Sequence, residues 1–134
     1  MAQCPCGSGS EFDDCCGPYI GGGVAPTPEA LMRSRFTAFA RGNLDYIENT
    51  HAPEARGDFD RAAAESHNNT VRWVGLEILE TAGGGPGDDT GTVEFAARYK
   101  SDGGAGVHHE RSSFRREDGR WVVAHEHHSF ADES

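Results

Sequence analysis

The sequence predicts an α+β protein in which three helices come first and pack against a curved four-stranded antiparallel sheet. Apolar residues recur at helical spacing between residues 27 and 66, whereas after residue 69 they alternate with polar ones, as in half-buried strands. A further observation sets the first residues apart: all four cysteines of the 134-residue chain lie in the run CPCGSGSEFDDCC, residues 4–16. We therefore expect a small cysteine-rich unit followed by one α+β domain.

The predicted helices have recognisable start and stop signals. Thr27 is a good N-cap and Pro28 suits the first helical position, while Gly42 stops the first helix. Asn43 caps a second, short helix, which must end before Pro53. The three helices are expected at Glu29–Arg41, between the cap at Asn43 and Pro53, and at Asp58–Ser66.

The strands are joined by short turns rich in glycine and aspartate, so neighbouring strands are expected to run antiparallel as a meander. The predicted strands are Thr70–Glu80, Gly91–Lys100, Gly106–Glu117 and Gly119–Phe130. The bulkier side chains should cover the concave face of this sheet, and they are Val93, Phe95, Tyr99, Phe114, Trp121 and Val123.

Composition excludes two classes of partner. Twenty-two acidic and 12 basic residues give a formal net charge of −10, which opposes binding to nucleic acid, because such binding depends on clustered Lys and Arg. No apolar run approaches the roughly 20 residues that cross a bilayer, and the first residues, MAQCPCG, lack the pattern of a secretion signal. We expect a cytoplasmic protein without a membrane partner.

The four cysteines predict a structural zinc site. Cys4, Cys6, Cys15 and Cys16 supply four soft thiolates, which would close a tetrahedral shell around one Zn²⁺ and leave no open position for catalysis. Disulfides are disfavoured by the expected reducing compartment, and a bond between vicinal cysteines would be strained. A redox motif would more often read C-x-x-C at the end of a strand. One structural zinc is the prediction.

This run resembles the SEC-C motif, the zinc-binding tail of the bacterial translocation ATPase, which also occurs in many small proteins. The motif reads C-P-C-G-S-G, a short bridge, then C-C or C-H, and the resemblance implies the same four zinc ligands. In many members the bridge is rich in lysine and resembles a docking patch. Here it contains Glu11, Asp13 and Asp14 and no base, so the basic docking surface is not implied.

The segments PTPEALMRSRFTAFARGNLDYIENTH and HHERSSFRREDGRW, together with the cysteines, resemble the YchJ family of the UPF0225 group. That resemblance implies an NTF2-like (cystatin-like) cone carrying a SEC-C motif. Residues 121–128, WVVAHEHH, depart from the Trp-Tyr-x-x-Asp-Gly ending of the family. We expect a zinc knuckle at residues 1–17, a linker at 18–26 and an NTF2-like domain at 27–134, with a core of its own that survives loss of the knuckle.

The cone offers candidates for chemistry. Alternation places His108, Glu110 and Ser112 on one face of the third strand and His109 on the other. Glu110 with His109 or His125 is the candidate acid/base pair, because apolar walls raise a carboxylate pKa and imidazole titrates near neutrality. Candidates for the pocket and for anion binding are Arg33, Arg35 and Trp121. A Glu–Arg pair that only joins sheet to helix is the alternative.

Two further alternatives stay open. The histidines of the last strand, His125 and His127, share a face on simple alternation and with His108 would chelate a second metal. For the whole protein we expect a binding or adaptor role, with a protein partner at the knuckle and a small ligand or a homodimer face at the cone. The alternative is a small isomerase- or hydrolase-like enzyme that works in the cone.

Overall fold

The computed structural model describes residues 4–7, 10–53 and 61–132, and at residues 61, 63, 67–69 and 125–132 it describes the backbone alone. The described elements follow the predicted order of helices before strands. They are a 3-10 turn at Phe12–Asp14, helices α1 (Gly17–Ile20), α2 (Pro28–Ala40), α3 (Leu44–Asn49) and α4 (Arg61–Thr70), and strands β1 (Val71–Gly83), β2 (Thr90–Ser101), β3 (Gly104–Glu117) and β4 (Arg120–Asp132). Within these ranges the helices are all too short or too polar to cross a membrane.

The first two helices that the sequence predicts, α2 and α3, begin where their caps indicate. The Thr27 side chain accepts a hydrogen bond from the amide of Ala30 at 3.1 Å, and Asn43 accepts from the amide of Tyr46 at 3.2 Å. Gly42 lies between them with a φ of +76°, a conformation that costs glycine little. The third predicted helix was Asp58–Ser66; α4 continues four residues further, and residues 58–60 lie outside the described part of the chain.

The sheet is the predicted antiparallel meander, in the order β1-β2-β3-β4. The register between β3 and β4 shifts by one residue, because Phe114 lies opposite Val123 whereas Ser113 lies opposite His125. Ala124 is therefore the extra residue of a β-bulge. From that point on, the alternation of β4 is reversed relative to β3.

The core lies between the concave face of the sheet and α2. Of the side chains predicted for that face, Tyr99 is half-buried and the others are buried. They pack with Leu31, Met32 and Phe36 of α2. Cys4, Cys6 and Cys16 belong to the same buried cluster, with exposures of 4%, 0% and 1%. The cysteine loop is thus packed into the core of the α+β domain.

The segment predicted as a linker, residues 18–26, makes similar contacts. Tyr19 and Ile20 pack against the core, and Ala25 is buried. The indole Nε1 of Trp121 donates a hydrogen bond to the Pro26 carbonyl at 3.3 Å. The boundaries of the predicted units stay a prediction, but the contacts across them are those of one continuous core.

Candidate functional site

The four cysteines converge on one point. Their Sγ atoms all lie within 4.8 Å of one another, and three of the four residues are buried, whereas Cys15 is half-buried. A hook at Cys4–Gly7 supplies the first two sulfurs: the Gly7 amide donates to the Cys4 carbonyl at 3.2 Å, and Gly7 has a φ of +81°. The turn at Phe12–Asp14 then delivers Cys15 and Cys16 to the same place.

The spacing of the sulfurs fits a tetrahedral metal site. Bonds of about 2.3 Å from one ion to four sulfurs require sulfur–sulfur distances of about 3.8 Å. Cys6 Sγ lies 3.6 Å from Cys15 Sγ, and Cys15 Sγ lies 3.9 Å from Cys16 Sγ. Both distances are far longer than the roughly 2.05 Å of a disulfide, and all four cysteines are free thiols. The donor set and its spacing therefore suit a metal ion.

The environment of the sulfurs disfavours thiolates in the absence of a cation. The hydrogen bond with Cys6, together with burial, raises the pKa of the Cys16 thiol far above its usual value, although a contact with the Thr37 hydroxyl acts in the opposite direction. Metal binding must displace these protons, because the thiolate is the ligand. A bound divalent cation would supply the charge that four clustered thiolates need.

Helix α2 forms the inner wall of the cysteine site. The hydroxyl of Thr37 lies 3.5 Å from Cys4 Sγ, and Arg33 Nη1 donates to the Cys6 carbonyl oxygen at 3.1 Å. The guanidinium of Arg41 stacks on the ring of Phe12 at 4.1 Å from its centroid. Two residues of the helix, Arg33 and Thr37, and its C-cap residue Arg41 thus hold the cysteine loop.

The outer side of the cysteine loop faces solvent and is acidic. Pro5, Ser10, Asp13 and Asp14 are exposed, and Glu11 is half-buried. The acids expected from the sequence are therefore at the surface, directly beside the ligand cysteines in the chain. The loop has one face held by α2 and one face that is accessible to another molecule.

The interior of the sheet contains a buried polar cluster on β3. Glu110 is 6% exposed; one of its carboxylate oxygens lies 2.8 Å from His108 Nε2, and the other accepts a hydrogen bond from the Ser112 hydroxyl. The His108 ring packs edge-on against Trp73, with centroids 6.4 Å apart, and tilted against Phe95 at 6.1 Å. The predicted shared face of these three polar residues is what the structure shows.

The structure does not bring the two predicted histidine partners to Glu110. His109 lies on the opposite face of β3, where its Nε2 is 2.7 Å from a carboxylate oxygen of Glu94 and the pair is partly exposed. Because of the bulge at Ala124, the residue opposite Glu110 on β4 is His128. His125 lies opposite Ser113 instead.

The same bulge alters the predicted second metal site. His127 lies opposite Arg111, and the residue opposite His108 is Phe130. The backbone register therefore does not pair His125 or His127 with His108, as simple alternation along β4 predicted. The side chains of these β4 residues are outside the described part of the chain.

The predicted pocket residues have structural contacts. Arg35 is 3% exposed, and its guanidinium donates to the Ile47 carbonyl at 2.9 Å and to Thr50, at the C-terminal end of α3. Arg33 holds the cysteine loop, as described above. Trp121 lies beneath the guanidinium of Arg116, 4.3 Å from its ring centroid. These contacts join elements of the fold to one another.

Sequence reasoning missed Thr37, and simple alternation gave β4 a register against β3 that differs from the one in the structure. Thr37 gave no signal, because its contact with Cys4 joins residues 33 positions apart in the chain. His108 and Ser112 were visible as members of the face that contains Glu110, but the bulge that shifts the register of β4 has no marker such as glycine in the sequence.

Comparison with known proteins agrees with this geometry. Residues 27–125 match a family model described as the YchJ middle NTF2-like domain, and residues 2–18 match the SEC-C motif. A SEC-C motif containing protein from Rhodopseudomonas palustris, solved in solution, is 41% identical with a TM-score of 0.83, over 92% of this chain and 96% of its own. A second, a crystal structure from Psychrobacter arcticus, is 29% identical with a TM-score of 0.78, over 91% and 80%.

The fold and the cysteine site define an NTF2-like α+β protein that carries a SEC-C motif. The chain belongs to the YchJ family, and its curated relatives are named UPF0225 proteins. The relative from Geobacter sulfurreducens is 49% identical over 88% of this chain and 74% of its own length. That from Corynebacterium glutamicum is 48% identical over 91% and 94%.

Proposed function

We propose that this protein binds one structural Zn²⁺ through its four cysteines and uses the metal-held loop as a docking surface for a partner protein. The convergence of four sulfurs within 4.8 Å supports the metal. Four thiolates in tetrahedral array favour zinc among the common cellular metals, and with every position taken by sulfur the ion has no site for substrate. Its role is to hold the loop in shape.

The docking role is supported by the two faces of the loop. The inner face is packed against α2, so the loop cannot move as a free tail, while Asp13 and Asp14 on the outer face are exposed. A rigid acidic surface suits a partner that presents a basic segment, since complementary charge speeds encounter and fixes orientation. The chain's net charge of −10 points to the same kind of partner.

The experiment separates the metal from the surface around it. Immobilised wild-type protein is compared with Asp13→Lys/Asp14→Lys, which leaves all four sulfurs in place, and with Cys15→Ser, which removes one ligand. The matched control is Glu77→Lys/Glu80→Lys, an equal charge change at exposed positions of β1. Zinc content is measured in each preparation, and proteins captured from native lysate are identified by mass spectrometry.

We expect the wild type and the β1 control to capture the same partner. The Asp13/Asp14 variant should lose it while keeping its zinc, and the Cys15 variant should lose both. Capture of identical proteins by all four preparations would show that the loop is scaffolding and would contradict the docking role.

A second candidate function rests on the buried cluster of His108, Glu110 and Ser112. A buried carboxylate that contacts both a hydroxyl and an imidazole, whose own ring packs against Trp73 and Phe95, has the composition of a general acid/base site. This candidate is a small isomerase- or hydrolase-like enzyme.

The test of this candidate is the hydrolysis of an activated ester, p-nitrophenyl acetate. Its rate is measured for the wild type, for Glu110→Gln and for Glu94→Gln. If the protein is such an enzyme, Glu110→Gln should abolish hydrolysis and Glu94→Gln should leave it unchanged. Equal rates in all three proteins would exclude esterase chemistry at this cluster.

A further inference from the structure

The hydroxyl of Thr37, in the NTF2-like domain, lies beside the sulfurs of the cysteine site. Thr37 lies in the third turn of α2 and is 0% exposed; its hydroxyl contacts Cys16, as described above, and its Oγ1 is 3.5 Å from Cys4 Sγ. At this distance either group can donate when both carry a proton. A metal-bound thiolate has no proton, so in the loaded site the hydroxyl must be the donor.

The contact differs from those of the other buried hydroxyl on the same helix. Ser34 is also 0% exposed, but its hydroxyl donates to the Leu31 carbonyl at 2.7 Å and lies 2.6 Å from the Tyr46 hydroxyl. The first contact lies within α2, and the second connects α2 to α3. Thr37, one turn further along the helix, instead points at the cysteine site.

We propose that Thr37 is a positioning residue of the metal centre, whose hydroxyl donates a hydrogen bond to the metal-bound sulfur of Cys4 and holds that ligand against α2. This inference rests on the metal occupancy proposed above. It extends that proposal, because it makes a residue of the NTF2-like domain part of the metal site whose ligands come from the SEC-C motif. The motif alone would then be an incomplete metal site.

The hydrogen bond has two measurable consequences. Residues that hydrogen-bond to metal ligands typically contribute 10- to 100-fold to metal affinity. Donation to a thiolate also stabilises the sulfur lone pairs, so its loss moves the sulfur-to-metal charge-transfer absorption to lower energy. A residue with only a packing role would change neither the position of this absorption nor the affinity beyond its effect on folding.

The experiment uses the full chain with Co²⁺ in place of Zn²⁺, because Co²⁺ gives visible and ultraviolet absorption from a thiolate site. Thr37→Val keeps the shape and removes the hydroxyl, Thr37→Ala removes it without a second methyl beside the sulfur, and Thr37→Ser keeps it. Ser34→Ala is the matched control, since it deletes a buried hydroxyl of the same helix that contacts no sulfur. Zinc affinity is measured by competition with a chromophoric chelator.

We expect Thr37→Val and Thr37→Ala to shift the charge-transfer band to lower energy and to weaken zinc binding by 10- to 100-fold. Thr37→Ser should match the wild type in both readouts, and Ser34→Ala should leave the band in place. A band that is unmoved in both hydroxyl-free variants overturns the role of Thr37 while leaving the zinc proposal intact. A wild-type protein that binds neither Co²⁺ nor Zn²⁺ overturns both.

Discussion

Arg33 Nη1 of α2 donates a hydrogen bond to the carbonyl oxygen of Cys6 at 3.1 Å, across 27 positions of the chain. The same guanidinium is held from the other side by Glu29, whose carboxylate accepts from Arg33 Nε at 3.1 Å. A charged side chain of the α+β domain thus fixes the backbone of a predicted metal ligand. This contact ties the stability of the domain to the geometry of the cysteine site.

Removal of the metal is expected to lower the stability of the whole protein in one transition. Cys4, Cys6 and Cys16 share a core with α2 and the sheet, so the cysteine loop cannot loosen without exposing that core. Zinc at 100-fold above its Kd adds about 2.7 kcal/mol to unfolding, which at roughly 4 °C per kcal/mol is a Tm shift of about 10 °C. Calorimetry of the zinc-loaded and chelator-treated forms measures it.

From the sequence we expected the domain after Pro28 to survive loss of the knuckle, because it has an apolar core of its own. Two separate transitions in the metal-free protein, with the tertiary circular dichroism of Trp73 and Trp121 retained through the first, would support that expectation. They would contradict the single unit that the shared core predicts.

Replacing Arg33 should weaken the hold on the cysteine loop. Arg33→Gln removes the hydrogen bond to Cys6 and the ion pair to Glu29, and we expect a loss of about 1 kcal/mol, since the side chain is 26% exposed and solvent screens part of the interaction. Urea denaturation of the zinc-loaded protein measures the change. Glu29→Gln, which removes only the surface ion pair, is the control and should cost no more than about 0.5 kcal/mol. Equal losses in the two variants would show that the Cys6 contact adds nothing.

Glu110 should matter for folding whether or not the cone is catalytic. Glu110→Ala removes the buried carboxylate that His108 and Ser112 share and opens a cavity, so we expect a loss of about 2–4 kcal/mol of unfolding free energy. Glu94→Ala deletes the carboxylate of the equivalent histidine pair on the outer face, where exposure makes such pairs worth about 1 kcal/mol or less. If the two substitutions lower the free energy of unfolding by the same amount in urea denaturation, the buried cluster stabilises the fold no more than the exposed pair does.

The bulge in β4 should be sensitive to deletion. Removing Ala124 would join Val123 directly to His125, so the pairs of Val123 with Phe114 and of His125 with Ser113 could both be kept and only the bulge would be lost. We expect the free energy of unfolding to fall by about 1 kcal/mol, because β4 loses the local bend of the bulge but keeps its register. A loss above about 4 kcal/mol in urea denaturation would contradict the assigned register, since it would mean that the residues beyond Ala124 change their partners on β3.

The fold could be predicted because its signals are local. Thr27 and Asn43 cap the helices that follow them, and the two-residue alternation around Val93 and Phe114 marks buried faces of strands. The cluster of the four cysteines could be predicted because they lie within 13 residues of the chain and share one chemistry. Each of these depends on a few neighbouring residues.

The surroundings of the sites could not be predicted because they depend on distant parts of the chain. Thr37 and Cys4 meet only after α2 has packed on the cysteine loop. The residue opposite Glu110 on β4 could not be predicted either, because the extra residue Ala124 changes which residues of the two strands are opposite each other. Neither fact is contained in the spacing of residues along one segment.

Metal content is the most direct test of the central claim that the four cysteines form one zinc site. Wild-type protein, purified under reducing conditions without added metal, is analysed by elemental mass spectrometry beside Cys15→Ser. One zinc per wild-type chain and a large loss in the variant are expected. A wild-type value near zero, in protein whose four thiols all remain reactive, would contradict the metal site and the docking surface built on it.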